Sequence, residues 1–171
     1  MDKKMIDITL TRKTKFPERG TPQSAGIDIF IPEFDFNFRK DFSQLNLKTG
    51  SKVGTQQIAI PSHCGVLIPS GIRYMIPNNH ALIAMNKSSI ASKTGLIVGA
   101  CVNDADYQGE YIISMINTTD LPIKIDSGQK IVQLVLVSTP VVDFRMLPLD
   151  DFNKIQIETV RASGGFGSTG K

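Results

Sequence analysis

The chain is poor in the residues that commonly staple a fold or carry its chemistry. It has two cysteines, Cys64 and Cys101, and two histidines, His63 and His80. The cysteines lack zinc-ligand spacing and no signal peptide precedes them, which argues against a disulfide framework and predicts reduced thiols in a cytoplasmic protein. Neither histidine has a partner at metal or triad spacing, so acid–base chemistry falls to carboxylates. Long apolar runs are missing as well. Runs such as residues 134–137 are far too short to span a bilayer, and the opening MDKKMIDITLTRK has no apolar targeting core, so a soluble protein without membrane contact is expected. Lys and Arg number 19 against 16 Asp and Glu, for a net charge of +3 with no basic block. That excludes the basic stripe of a nucleic-acid binder and predicts that any anionic partner is small.

What is present is a series of short apolar strands broken by Gly and Pro. At 171 residues the chain suits one domain, which at this size buries about 70% of its unfolded surface. MIDITL (5–10) alternates as a half-buried strand, and a turn then leads into SAGIDIFIP, a second strand. Asp28, between Ile27 and Ile29, is either a solvated outward residue or a carboxylate lining a site. From Glu33 to Gln56 the alternation of Phe34, Phe36 and Phe38 with polar residues predicts an extra strand or arm followed by a loop, with a packing role. The stretch 57–85 supplies several strands at the spacing of an all-β sandwich or barrel. One short helix follows: Ser88 or Ser89 can N-cap IASKT, and Gly95 can end it in a left-handed conformation. Lys87 and Ser88 then lie at a helix amino end, where free N–H groups attract phosphate. Two more strands join at Ser127-Gly128, and in the otherwise apolar IVQLVLV the central Gln133 must find hydrogen-bond partners, structural or from a ligand.

The stretch that organises the rest is VGACVNDADYQGEY (98–111). It reads as a β-hairpin with Asp104, Asp106 and Tyr107 in its bend and Gly109 where a Cβ would obstruct. The closing RASGGFGSTGK matches two phosphate-loop patterns in letters but not in context, because no helix follows the glycines. Its local physics remains: closely spaced amides, two hydroxyls and Arg161 can surround polyphosphate, and Phe166 offers a flat face for a base.

Taken in order, SAGIDIF (24–30), NKSSIA (86–91), GACVNDADYQGEY (99–111), SGQKIVQL (127–134) and RASGGFGSTGK (161–171) resemble the five ordered motifs of the trimeric dUTP pyrophosphatases, the dUTPases. The resemblance implies an all-β jelly roll or distorted β-barrel with one short helix, a single domain over 1–160 carrying 33–56 as an insertion, and a Gly-rich arm, 161–171, closing over an active site. It implies a homotrimer with shared sites, Mg2+ as cofactor, and hydrolysis of dUTP to dUMP and pyrophosphate, which limits uracil incorporation into DNA and supplies dUMP for thymidylate synthesis. Position by position, it makes Asp104 the group that orients and deprotonates the attacking water, and it sets Tyr107 beneath the deoxyribose, where a 2′-hydroxyl has no room. The hairpin, through Gly99, Cys101, Val102, Asn103 and Gly109, reads uracil. Lys87, Ser88, Ser89 and Gln133 contact the phosphates, and Asp28 holds waters of the Mg2+. Arg161, Gly167, Ser168 and Thr169 close over the phosphates while Phe166 stacks on the base.

Three positions depart from the family pattern: Lys87 stands for arginine, Cys101 for glycine and Asn103 for an apolar residue. Two other functions compete. A dCTP deaminase is similar in fold but would use a glutamate near the base. A regulatory binding protein on a dUTPase scaffold has only the 33–56 segment in its favour, and the joint presence of Asp28, Asp104 and Arg161 opposes it.

Overall fold

Gly and Pro breaks cut the apolar sequence into short antiparallel strands, as expected. The computed structural model describes residues 4–156, and the chain divides into two compact units, Met1–Pro140 and Val141–Lys171. The first unit contains β1 (Asp7–Leu10), β2 (Ile27–Phe30), α1 (Phe36–Leu45), β3 (Lys52–Val53), β4 (Gln57–Ile60), β5 (Gly65–Pro69) and β6 (Ile72–Met75). After these come β7 (His80–Asn86), α2 (Ser88–Thr94), β8 (Leu96–Val98), β9 (Val102–Asn103), β10 (Ile112–Asn117), β11 (Ile123–Asp126) and β12 (Lys130–Ser138). The strands form small antiparallel sheets in the orders β1-β6, β5-β10-β8, β11-β4-β3 and β2-β12-β7-β9. This is an all-β, jelly-roll arrangement. Its core draws on nearly every strand, including Ile29, Ile58, Ile68, Ile113, Ile131 and Val132.

The first part of the 33–56 segment corrects the expectation of an extra strand, while its end supplies the two-residue β3. That first part folds as α1, because Phe34, Phe38 and Phe42 repeat at the helical interval of four while Phe36, the residue that suggested period two, is 79% exposed. Asp35 is the N-cap, its side chain accepting the Phe38 amide at 2.8 Å. The three buried rings follow one another at centroid distances of 5.0 and 5.9 Å. Fully burying a Phe contributes about 1.5–3 kcal/mol, so the expected packing role holds although the element differs. Asn46, the C-cap, donates to Leu67 O at 2.7 Å and accepts from Leu67 N at 2.9 Å, sewing α1 to β5.

The expectation of a single helix is corrected too, since three helices form among the described residues. In α2 the N-cap is Lys87, with no side-chain cap bond, so neither Ser88 nor Ser89 has the capping role; both serines already lie inside the first turn. Gly95 ends α2 at φ 71°, in the left-handed region as expected. In the second unit α3 spans Leu149–Ile155, with Asp150 and Asp151 in its first turn and Lys154 in its last, the arrangement a helix dipole favours. No helix among the described residues is long and apolar enough to cross a membrane.

Candidate active site

Strand register gathers three of the five sequence segments. Within the four-stranded sheet, Gln133 on β12 stands opposite Asp28 on β2 and opposite Met85 on β7, one residue before Asn86. The Gln133 side chain donates from Nε2 to Asn86 O at 2.9 Å, and a Cβ at Gly26 would come within 2.8 Å of the Gln133 carboxamide carbon. Gly26, two residues before Asp28, thus leaves the room that the Gln133 amide occupies. Asn86 Oδ1 in turn accepts the Val98 amide at 2.7 Å and ties the end of β7 to β8.

Asp28 is neither solvated nor alone. It is 5% exposed, and its Oδ1 is bonded by the Lys87 ammonium. Lys130 Nζ stands 3.5 Å from the other oxygen and 2.6 Å from Glu18 Oε1. The Glu18 hydrogen bond raises the Lys130 pKa against the opposing effect of burial, and the same ammonium lies 5.1 Å from the centroid of the Phe30 ring. The cluster thus reads Glu18–Lys130–Asp28–Lys87, alternating in sign. Ser88 and Ser89 follow Lys87 as exposed residues.

The hairpin forms with antiparallel β8 and β10, paired from Val98↔Met115 to Leu96↔Asn117. Its long connection reaches sideways. β9 pairs with β7 through Asn103↔Leu82 and Val102↔Ile83, and Cys101 O accepts the Ala84 amide at 2.7 Å. Asn103 donates from Nδ2 to Leu82 O at 2.8 Å, so its amide serves the sheet. At Gly99 a Cβ would stand 2.7 Å from Ser114 Oγ on the opposite arm.

Beyond β9 the chain bends at Asp104, whose carbonyl accepts the Tyr107 amide at 3.2 Å. The Tyr107 hydroxyl donates to Glu110 O at 2.8 Å. This ring explains Gly109, since a Cβ there would come within 2.6 Å of the Tyr107 Cζ; the glycine provides room, not an unusual backbone angle. Ala100, Val102, Asn103, Asp104, Tyr107, Tyr111 and Ile112 line a recess of about 210 Å³. Asp104 is exposed at its edge, and Tyr107 is 42% exposed.

Predicted site residues therefore fall into two groups, Asp28, Lys87, Ser88, Ser89 and Gln133 around the sheet end, and Gly99, Cys101, Val102, Asn103, Asp104, Tyr107 and Gly109 in the hairpin connection. Among the described residues no hydrogen bond or ion pair joins the recess to the Asp28 cluster. Arg161, Phe166, Gly167, Ser168 and Thr169 lie outside the described residues. Sequence reasoning missed Lys130 and Glu18. The signal for Lys130 was available in its place three residues before Gln133 on one strand, whereas Glu18 meets it from 112 residues away.

A metal would find few donors here. Among the described residues no group of three His, Cys, Asp or Glu is placed to hold an ion. Mg2+ commonly keeps several waters and relies on one or two carboxylates plus substrate phosphates. Two carboxylates stand at this end of the sheet, the buried Asp28 and the more exposed Glu18, a number that fits an ion brought in with a polyphosphate and reached through water.

The dUTPase family model matches residues 52–170. The deoxyuridine 5'-triphosphate nucleotidohydrolase of Actinobacillus pleuropneumoniae serotype 5b is 32% identical over 175 aligned positions, covering 100% of this chain and 97% of that protein. Among solved structures, the Staphylococcus bacteriophage 80alpha dUTPase with dUPNHPP superposes with a TM-score of 0.75 at 19% identity, covering 99% of this chain and 100% of the other. A mutant dUTPase of phage phi11 of S. aureus, described with a structural Mg(II) ion, superposes with a TM-score of 0.65 at 19% identity over 84% of this chain and 97% of its own. These structures share the fold.

Proposed function

Because the chain belongs to the dUTPase family, we propose that it hydrolyses dUTP to dUMP and pyrophosphate, with Asp104 as the base. The observation that carries this reading is the pairing of an exposed carboxylate, Asp104, with the Tyr107 ring at one recess. A carboxylate facing solvent can accept a proton from water. The water oxygen attacks the α-phosphorus, its proton passes to Asp104, and the bond from that phosphorus to the bridging oxygen breaks, releasing pyrophosphate. Positioned acid–base help contributes typically ~10²–10⁴-fold, and the remainder comes from in-line positioning and charge neutralisation.

In this reading the backbone from Gly99 to Gly109, including Cys101, Val102 and Asn103, meets the uracil edge, and the Tyr107 ring lies beneath the sugar. Gln133, Ser88 and Ser89 meet the phosphates, and substrate competes with Asp28 for the Lys87 ammonium. Asp28 would hold Mg2+ through water, and the ion would neutralise triphosphate charge. Arg161, Gly167, Ser168 and Thr169 close on the phosphates and Phe166 on the base. The 1–160 region acts as one domain with 161–171 as its closing arm. The protein acts as a homotrimer in which one subunit's hairpin is completed by another's residues. That no hydrogen bond or ion pair among the described residues joins the recess to the Asp28 cluster is consistent with that sharing.

The test is pyrophosphate release from dUTP, dCTP, dTTP and UTP, with and without Mg2+. Mg2+-dependent release confined to dUTP is expected. Ammonia from dCTP would replace this reading with a deaminase, and no turnover of any of the four would replace it with a binding protein.

A further inference from the structure

Glu110, the residue after Gly109, is gripped on both carboxylate oxygens. Arg12 Nε donates to its Oε1 at 2.7 Å and Arg12 Nη2 to its Oε2 at 2.9 Å, while the Gly71 amide donates to the same Oε1 at 2.7 Å. Arg12 Nη2 also donates to Asp41 Oδ2 on α1 at 2.6 Å. The guanidinium is 10% exposed, and the Glu110 bond leads the effects that hold its pKa above the ordinary value. On the other side of Glu110, its carbonyl accepts the Tyr107 hydroxyl, and Arg73 Nε donates to the neighbouring Gln108 carbonyl at 2.8 Å. The turn that carries Tyr107 is therefore fastened from beneath by residues far away in sequence, and one of the fastenings begins in the 33–56 segment.

A partly buried ion pair is weak evidence for stability, because desolvation offsets the Coulomb gain. A planar fork shared between two carboxylates does fix geometry, which a lysine ammonium cannot do in the same way. We propose that Arg12 is a positioning residue: by clamping Glu110 to Gly71 and α1 it holds Tyr107 at the height that excludes a 2′-hydroxyl, and through Asp41 the 33–56 segment contributes to sugar selectivity. The proposal rests on the sugar role of Tyr107 given above.

The experiment uses the full chain and compares Arg12→Lys, Asp41→Asn, Tyr107→Ala and the Arg12→Lys/Tyr107→Ala double variant. It reads the dUTP/UTP ratio of kcat/KM together with amide hydrogen exchange. Arg12→Lys is expected to lower the ratio about tenfold, because small misplacements are amplified at such sites, and to speed exchange at 104–111 but not in β12. Asp41→Asn should move the ratio the same way by about two- to threefold, as suits a more exposed partner. In the Tyr107→Ala background Arg12→Lys should lower the ratio no further, since both act through one ring. The clamp is overturned if Arg12→Lys leaves exchange at 104–111 unchanged, if it leaves the ratio unchanged while Tyr107→Ala alters it, or if the two effects add in full. Should Tyr107→Ala itself leave the ratio unchanged, the sugar reading fails, and exchange alone decides whether Arg12 positions the turn. Should Arg12→Lys not fold, Glu110→Gln, which keeps the side-chain shape, is read by the same measures.

Discussion

Asp28 and Asp104 are carboxylates of the same chain in opposite conditions. Asp28 is buried in the four-stranded sheet between the ammonium groups of Lys87 and Lys130. Asp104 is exposed after the two-residue strand β9, and its side chain has no hydrogen-bond partner among the described residues. A carboxylate enclosed by cations is neutralised and fixed, whereas one open beside a recess keeps its lone pairs for water. The sheet end is thus built to hold charge in place and the hairpin connection to present it. Substitutions that remove only the charge should separate the two roles.

The largest effect is expected at Asp104. Asp104→Asn removes the proton acceptor without changing shape, so turnover should fall by about 10²–10⁴-fold while binding of a non-hydrolysable dUTP analogue persists. Stability in urea should change by less than about 0.5 kcal/mol, as is usual at an exposed position. Near-normal turnover would assign the base elsewhere.

A mixing experiment sharpens the comparison by asking whether the Asp104 region is completed by another subunit's residues 161–171. A chain lacking residues 161–171 keeps Asp104; the Asp104→Asn chain keeps its tail. Each should be inactive alone. Unfolded together and reassembled one to one as trimers, they should recover about a quarter of full activity, because half the sites receive an intact hairpin and half of those an intact tail from another subunit. No recovery would mean that each chain completes its own site.

Asp28→Asn, unlike Asp104→Asn, should cost stability as well as turnover. It leaves two partly buried ammonium groups without their shared carboxylate, and a stability loss of about 1–3 kcal/mol is expected, moderated because both lysines retain some solvent contact. An unchanged urea midpoint would mean that the cluster is held by the sheet backbone and not by its charges.

Much of this contrast was legible in the sequence, for local reasons. Asp104, Tyr107 and Gly109 lie within six residues, and a glycine two places after an aromatic announces the close approach that the ring requires. Gln133 stood out because an amide in an apolar strand must be satisfied. Other features depended on distant pairing. The Arg12 fork spans 98 residues to Glu110, and the Lys130 ammonium meets Glu18 only because β2 and β12 are neighbours. The 33–56 segment was misread because phenylalanines at 34, 36 and 38 satisfy period two locally, while the period-four series through Phe42 and the Asp35 cap decide the structure. In α2 two adjacent serines suggested a cap, but the helix begins at the first of them.

The smallest expected effect lies in the wall of the recess, and it tests whether the two regions also differ in completeness of hydrogen bonding. Every charge of the Asp28 cluster has a partner, whereas the buried hydroxyls of Tyr74 and Tyr111, their rings 6.1 Å apart, have none among the described residues. Burial is the leading cause that pushes both phenols above their ordinary pKa. An unmet buried hydroxyl costs about 1–3 kcal/mol and its removal returns part of that, so Tyr111→Phe should stabilise the fold at pH 7 by up to about 1 kcal/mol. The pH dependence has a definite sign. Above pH about 10 the unfolded tyrosines release protons that the folded ones keep, so stability falls as pH rises, by at most about 1.4 kcal/mol per pH unit for each group. Tyr111→Phe removes one of the two contributions and should flatten the decline between pH 10 and 11 relative to the parent chain, as measured by urea unfolding at each pH. Lower stability of the variant at pH 7 would show that the hydroxyl has a partner, and the contrast with the Asp28 cluster would then be one of exposure alone.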